Sequence, residues 1–198
     1  VKVALSGLGG DELFGGYQRH TGFALSERYA SMPAFIHRRL IDPLVQRLPE
    51  PAHGGDRVDH LKRFSGAATE PPGRRYLSYV SSLSERERGE LYAPAVRELI
   101  DFDETAEVVT GPFRDCTAGD NIGRMLYVDL KTYLPEDLLA LSDRISMWHS
   151  LEVRVPFVDH RLVELSARIP SAHKITVRDK KILLKAVSYT HLTLPTIY

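Results

Sequence analysis

The chain has 198 residues, 43% of them apolar, and its 26 basic residues balance 26 acidic ones. That supplies one core of ordinary domain size, and without a basic block or a membrane-length apolar run it leaves no nucleic-acid footprint, polybasic anchor or membrane span to expect. A lone cysteine, Cys116, excludes an internal disulfide framework and fits a reducing, cytoplasmic setting, and the eight histidines lack paired metal spacing.

Residues 1–5 form a short apolar run with the length of one buried strand. A helix is expected from Asp11 or Glu12 toward Tyr29, and a second one after Pro33 with Phe35, Ile36, Leu40, Leu44 and Leu48 on its apolar face. Residues 49–55 read as a loop, Val58, Leu61 and Phe64 as a short helix, and 70–73 as a break. Ser84 with Glu87 three residues later is a capping box opening a helix through Leu91. Weaker helices follow at 95–100 and 103–109. Ile122, Met125, Leu126, Leu130 and Tyr133 keep helical spacing around one acid, Asp129. Pro135 opens a helix toward Met147, residues 150–155 are extended, and Asp159 caps a helix through Arg168 with Leu162, Val163 and Leu165 inward. A helical pattern at 179–187 then gives way to a tail with three threonines and no acidic or basic residue except His191. Residues 188–198 read as non-native sequence, with a terminal strand through Leu192 and Leu194 as the alternative.

Residues 6–17, Ser-Gly-Leu-Gly-Gly-Asp-Glu-Leu-Phe-Gly-Gly-Tyr, have the layout of an anion site. Glycines after a strand let backbone N–H groups approach phosphate oxygens, and a helix start adds partial positive charge at the same place. Ser6 can donate a hydrogen bond, and Asp11 can hold a divalent cation or cap the helix. The stretch is neither a P-loop nor a Gly-x-Gly-x-x-Gly fingerprint. Gly15-Gly16 can equally be a bend that lets Tyr17 fold back. Downstream, the alternation of Glu152 and Arg154 with apolar neighbours puts both charges on one side of an extended segment, where a substrate contact and a structural ion pair are both open. Lys180 and Lys181 read as a solvated helix face, Trp148 and Met147 as packing, and Cys116 as an unreactive loop thiol. Asp143 and Arg144, adjacent on a helix, face different partners.

Residues 5–17 closely resemble the second nucleotide-site motif of the glutamine-dependent asparagine synthetase family. Further matches follow in the family's order: residues 133–139, Asp143-Arg144-Ile145-Ser146-Met147, residues 150–164, and Lys181-Ile182-Leu183-Leu184-Lys185. The resemblance implies an α/β fold, part of an adenine-nucleotide alpha-hydrolase-like (ATP pyrophosphatase) domain. One strand lies here, followed by a mostly helical C-terminal portion, with residues 1–187 forming the C-terminal part of the synthetase domain. It also implies ATP-dependent amidation of aspartate through β-aspartyl-AMP, with ATP and Mg²⁺ as cofactors and ammonia from glutamine. By the same resemblance Ser6, Gly7, Gly9 and Gly10 contact nucleotide, Asp11 holds the metal, and Lys181 lies near the leaving phosphates, Lys180 replacing it if the alignment slips by one. The resemblance also places Glu152 and Arg154 by the substrate, and Tyr17 could orient substrate or close the glycine turn.

The implied partners are small molecules and an N-terminal glutaminase domain absent from this sequence, as is the family's Ser-Gly-Gly-x-Asp-Ser loop. A fragment lacking that loop is expected to turn nothing over alone. The oligomeric state, a homodimer among the choices, is open. Leu8 stands where the family usually carries an acid and Leu141 where it often carries lysine. A paralogue acting on another carboxylate, or a non-catalytic nucleotide-binding module, therefore stay as alternatives.

Overall fold

The computed structural model describes residues 2–33, 35, 39, 42–47, 64–67 and 70–191. The expectations for Ile36, Leu40, Leu48, the 49–55 loop, Val58, Leu61, Leu192 and Leu194 lie outside these residues. In chain order come β1 (Val3–Leu5), α1 (Gly10–Phe14), α2 (Gln18–Ala30), α3 (Asp42–Gln46), α4 (Pro72–Val80), α5 (Glu85–Leu91), α6 (Pro94–Arg97), α7 (Phe102–Asp115) and α8 (Asn121–Lys131). A π-helical segment, Leu134–Leu139, leads into α9 (Ala140–Trp148), followed by β2 (Glu152–Arg154), α10 (His160–Arg168) and α11 (Ile182–His191). The chain divides into two compact units, one built from Val1–Thr21 and Cys116–Tyr198, the other from Gly22–Asp115.

In the first unit β1 pairs with β2 in parallel, with Val3 opposite Glu152, Ala4 opposite Val153 and Leu5 opposite Arg154. The sheet thus has two strands among the described residues, not the single one expected. The charged β2 lacks an apolar run, and β1, expected to be buried, leaves Val3 and Leu5 exposed, at 49% and 77%, because only one strand pairs with it among the described residues. The expected helix from Asp11 toward Tyr29 is broken in two. Gly9 is the N-cap of α1, and Gly15, at φ 72, closes it in the left-handed conformation. Asp11 is therefore not the N-cap; it sits inside the first turn. Leu13 and Phe14 are buried with Met125, Leu126, Val128 and Leu134, and the Phe14 ring meets Phe157 edge-on at 6.4 Å.

Asp159 caps α10 as expected, its carboxylate accepting from the Arg161 N–H at 2.9 Å. The Arg161 guanidinium and N–H hold that carboxyl down at about 2. Leu162 and Val163 are half-buried, but Leu165 is 56% exposed and Ser166 takes the inward position. At 100° per residue, 166 lies on the face of 162 and 163 and 165 does not. Trp148 and Met147 are exposed, against the packing expectation. α11 continues past residue 187 to His191.

In the second unit Phe23 is fully buried, with Tyr76 and Phe113 edge-on to it at 5.5 and 6.2 Å. Buried Arg75 donates to the Ser26 carbonyl at 2.9 Å and pairs with Glu27. The Pro71-Pro72 break proves to be the start of α4, with Pro72 in the first turn, where its missing N–H costs nothing. The capping box of α5 is complete, with Glu87 N–H donating to Ser84 Oγ at 3.2 Å and Ser84 N–H to Glu87 Oε2 at 2.7 Å. α7 is longer than expected, running to Asp115 through Pro112. Pro33 is not helical, and Phe35 and Leu44 are exposed where an inward face was expected; Val45 is buried instead. Replacing Phe23 with alanine empties the centre of this aromatic cluster and is expected to destabilise the unit by about 3–5 kcal/mol. Urea unfolding checks this, and an unchanged midpoint would contradict the assigned core.

Candidate functional site: the glycine turn at the ends of two parallel strands

Parallel pairing places Ser6 and Arg154 at the same, carboxyl end of the sheet, where the Ser6 N–H donates to the Arg154 carbonyl at 2.9 Å. Such strand ends are where open α/β sheets bind ligands. The chain turns there through Gly7, which is exposed with open space around its Cα, and Gly9, which adopts φ 91. A Cβ on Gly9 would sit 2.9 Å from Val158 Cγ2 and 3.3 Å from Phe157 Cβ. Gly9 is thus required twice, for its conformation and for the approach of Pro156–Val158. That approach joins two stretches distant in sequence, residues 6–17 and 150–164.

The next turn is tighter still. The Gly15 and Gly16 N–H groups both donate to the Asp11 carbonyl, at 2.8 and 2.9 Å. This wraps the chain around Asp11 and brings the Lys181 ammonium to 3.0 Å from its carboxylate. The pair lies directly over Gly16, whose hypothetical Cβ would fall 1.5 Å from Asp11 Oδ1 and 2.3 Å from Lys181 Cε. Both side chains are about one-third exposed, at 34% and 31%. Lys181 itself holds a left-handed backbone at φ 52, an uncommon state for a residue with a side chain. It follows a small loop closed by the Thr176 N–H on the Asp179 carbonyl and by the Ile182 N–H on the Lys174 carbonyl. Ile175 packs against Gly15 from the same loop.

The family described as asparagine synthase matches residues 1–196. The chain belongs to the asparagine synthase family. A Mycobacterium tuberculosis H37Rv protein with a provisional asparagine synthetase (glutamine-hydrolyzing) name is 36% identical over 186 residues, covering 93% of this chain and 26% of that protein. Asparagine synthetase (glutamine-hydrolyzing) 1 of Bacillus subtilis strain 168 is 29% identical, covering 93% of this chain and 27% of its own length. Amidase chry2 of Gibberella zeae is 28% identical over 94% of this chain and 29% of its own. The chain thus spans about a quarter of the length of these relatives. No solved structure matches it.

Among the other residues singled out in this asparagine synthase domain, Tyr17 folds back over the glycine bend and donates its hydroxyl to buried Glu12. Burial first, then that carboxylate, push the Tyr17 phenol well above its ordinary value, so it stays a neutral donor. Glu152 and Arg154 share one exposed side of β2 and pair with each other. Asp143 and Arg144 are exposed on α9. Lys180 bridges to Ile175 through its backbone, and the lysine brought to Asp11 is Lys181. Leu8 is half-buried beside Ser6, whose Oγ accepts the Leu8 N–H at 3.4 Å. Cys116 is a free thiol at the end of α7.

Among the described residues no three His, Cys, Asp or Glu side chains gather as a metal group, and no helix is long and apolar enough to cross a membrane. A cavity of about 650 Å³ in the second unit, lined in part by Arg74, Leu77, Leu83 and Arg88, contains none of these site residues.

Sequence reasoning passed over Glu12, Arg19, His20 and Lys174. The single acid in the apolar spacing of α8, Asp129, was the one available signal. Lys174 is nearly buried, and burial pulls its ammonium from 10.5 down to about 8 against the opposing pull of Asp120. Below pH 8 the amine is charged folded and unfolded, so its burial penalty acts in full; between pH 8 and 10.5 the folded protein releases the proton first and the penalty fades. Lys174→Met is therefore expected to stabilise the fold at pH 7, with the gain shrinking as pH rises through that window, as urea midpoints across pH will report. A second measurement addresses Gly16. Gly16→Ala is expected to separate Asp11 from Lys181, as a crystal structure of the variant will report, while far-UV circular dichroism stays unchanged.

Proposed function

We propose that the turn from Ser6 to Gly16, with Lys181, is the polyphosphate-binding part of an enzyme that amidates aspartate with ATP. The observation that carries this reading is the Asp11–Lys181 pair held over Gly16 at the carboxyl ends of two parallel strands. Attack of a carboxylate on the α-phosphorus expels pyrophosphate, so the protein's task is positioning and stabilising gathering negative charge. In this reading Ser6 and exposed Gly7 line the approach to the phosphates, while buried Gly9 and Gly10, the latter donating its N–H to the Gly7 carbonyl at 3.2 Å, shape the turn. Lys181 supplies positive charge, and its pairing with Asp11 fixes where that charge sits.

The residues fit a magnesium ion. Mg²⁺ is usually held by one or two carboxylates together with substrate phosphates, and Asp11 offers one partly exposed carboxylate at the glycine turn. When bound, the ion would neutralise phosphate charge. β-Aspartyl-AMP as the intermediate, glutamine as the ammonia source and a glutaminase partner domain belong to the same proposal. Family membership and the glutamine-hydrolyzing names of the synthetase relatives support glutamine as the ammonia source. Arg154, at that carboxyl end, and Glu152, two residues before it on the same side of β2, are the proposed substrate-side charges, and Tyr17 shapes the turn.

A second reading, amidation of a different carboxylate, has its own support. Leu8 has no titratable group where the resemblance implies an acid, and a relative named amidase chry2 matches 94% of this chain. Pyrophosphate release by the complete polypeptide that carries this sequence, measured with aspartate and with a panel of other carboxylates, separates the two. Release with aspartate supports the first reading, and release only with another acid supports the second. Asp11→Asn is expected to raise the Mg²⁺ requirement at least by the roughly 10- to 100-fold that loss of an outer-sphere metal partner costs. Lys181→Ala is expected to lower the rate at saturating Mg²⁺ by about 10²–10³. Unchanged Mg²⁺ dependence in Asp11→Asn would remove the reading.

A further inference from the structure

Beneath the glycine turn lies a polar network that the chemistry above does not use. Asp129 of α8 is 1% exposed and His20 is fully buried. One carboxylate oxygen, Asp129 Oδ2, takes both Arg19 Nη2 at 2.9 Å and His20 Nε2 at 2.7 Å. The Arg19 guanidinium carbon then lies 4.0 Å from the centre of the Tyr17 ring and 4.6 Å from that of Tyr133. The two rings are edge-on to each other at 5.8 Å, and Tyr17 is also edge-on to His20 at 5.1 Å. The Tyr17 hydroxyl in turn donates to Glu12, a carboxylate 1% exposed and adjacent in sequence to Asp11.

Each link has a physical reason to be rigid. A planar guanidinium against two aromatic faces is held by cation–π attraction and by stacking. One of its in-plane N–H groups, on Nη2, is fixed by a buried carboxylate, which is costly to leave unpaired. A neutral phenol on a buried carboxylate orients that carboxylate and the turn of helix that bears it. The network ends at Glu12, and the next side chain back along α1 is Asp11, whose own carbonyl is clamped by Gly15 and Gly16.

We propose that Arg19 is a positioning residue for Asp11: clasped by Asp129 and the Tyr17 and Tyr133 rings, it holds Tyr17 on Glu12 and thereby fixes the direction of the Asp11 carboxylate. This rests on the reading of Asp11 as the group that meets magnesium-bound polyphosphate. A substitution that keeps the charge but loses the planar fork separates the role from simple charge balance. Arg19→Lys can still pair with Asp129, whereas an ammonium lacks the flat surface that fits against both rings. Tyr133→Leu removes one of those rings and leaves the Arg19–Asp129 pair in place. It serves as the second variant should Arg19→Lys not fold.

The test is the Mg²⁺ dependence of pyrophosphate release by the complete polypeptide, with thermal unfolding recorded for each variant and Asp11→Asn run alongside. Arg19→Lys and Tyr133→Leu are each expected to raise the Mg²⁺ midpoint about tenfold, with the rate at saturating Mg²⁺ close to that of the parent. A residue that only held the fold together would lower the unfolding temperature and leave the Mg²⁺ midpoint of the folded fraction where it was. A raised midpoint for Asp11→Asn with parental midpoints for folded Arg19→Lys or Tyr133→Leu overturns this inference and leaves the polyphosphate reading standing. A parental midpoint for Asp11→Asn itself overturns the polyphosphate reading, and the inference with it.

Discussion

At Gly16 there is no room for a methyl group. The space a Cβ would fill is occupied by the Asp11 carboxylate and by the Lys181 stem, at 1.5 and 2.3 Å from the hypothetical atom. Much of the surrounding structure serves that one exclusion. Gly15 must take a left-handed conformation to end α1 after five residues, so that Gly16 can pass under Asp11. Ile175 must pack against Gly15 so that the loop before α11 arrives at the right height. Lys181 must then leave that loop at a positive φ for its ammonium to point back at α1. Remove the exclusion at Gly16 and none of the three requirements has a purpose.

The other side of the turn is governed by a different constraint, the close approach of Phe157 and Val158 to Gly9 and Gly10. Those two residues follow β2, which runs parallel to β1. Parallel strands need long crossover connections, and here everything between Leu5 and Glu152 is that connection. It includes the whole of the second unit, which has a core of Phe23, Tyr76 and Phe113. The turn is therefore assembled from the two ends of the crossover plus the loop before α11. The local sequence 6–17 is necessary for it and not sufficient.

That explains what could be read from the chain and what could not. Local devices were legible because they are complete within a few residues: the Ser84–Glu87 capping box, the Asp159 cap and the glycine turn after an apolar strand. Failures came where a distant partner decides. β2 is three residues of Glu-Val-Arg, and only its pairing with β1 makes it a strand. The break expected at Pro71-Pro72 became a helix start because a first-turn proline and a mid-loop proline look alike in sequence. The continuous helix from Asp11 failed for the opposite reason: Gly15 and Gly16 could be a bend or merely tolerated glycines, and the contact with Ile175 and Lys181 selects the bend. Asp129 stands out as the single acid in the apolar spacing of α8, but its partners Arg19 and His20 lie 110 and 109 positions away.

Energetics separates the Asp11–Lys181 pair from ordinary structural ion pairs. A partly exposed pair of this kind contributes about 0–1 kcal/mol to stability. Holding a side-chain-bearing residue such as Lys181 in the left-handed region costs of order 1–3 kcal/mol, and the neighbouring glycines give up more backbone freedom on folding than any other residue would. The arrangement therefore costs the fold at least as much as it returns. The Asp129 carboxylate with Arg19 and His20 is a different case, since breaking it would leave a buried charge unpaired. A strained lysine facing a half-open carboxylate, at the end of two parallel strands, instead has the character of a site kept ready for a charged ligand. Asp11 and Lys181 satisfy each other's charge, and under the proposed function a polyphosphate with its cation would offer both a better partner at once.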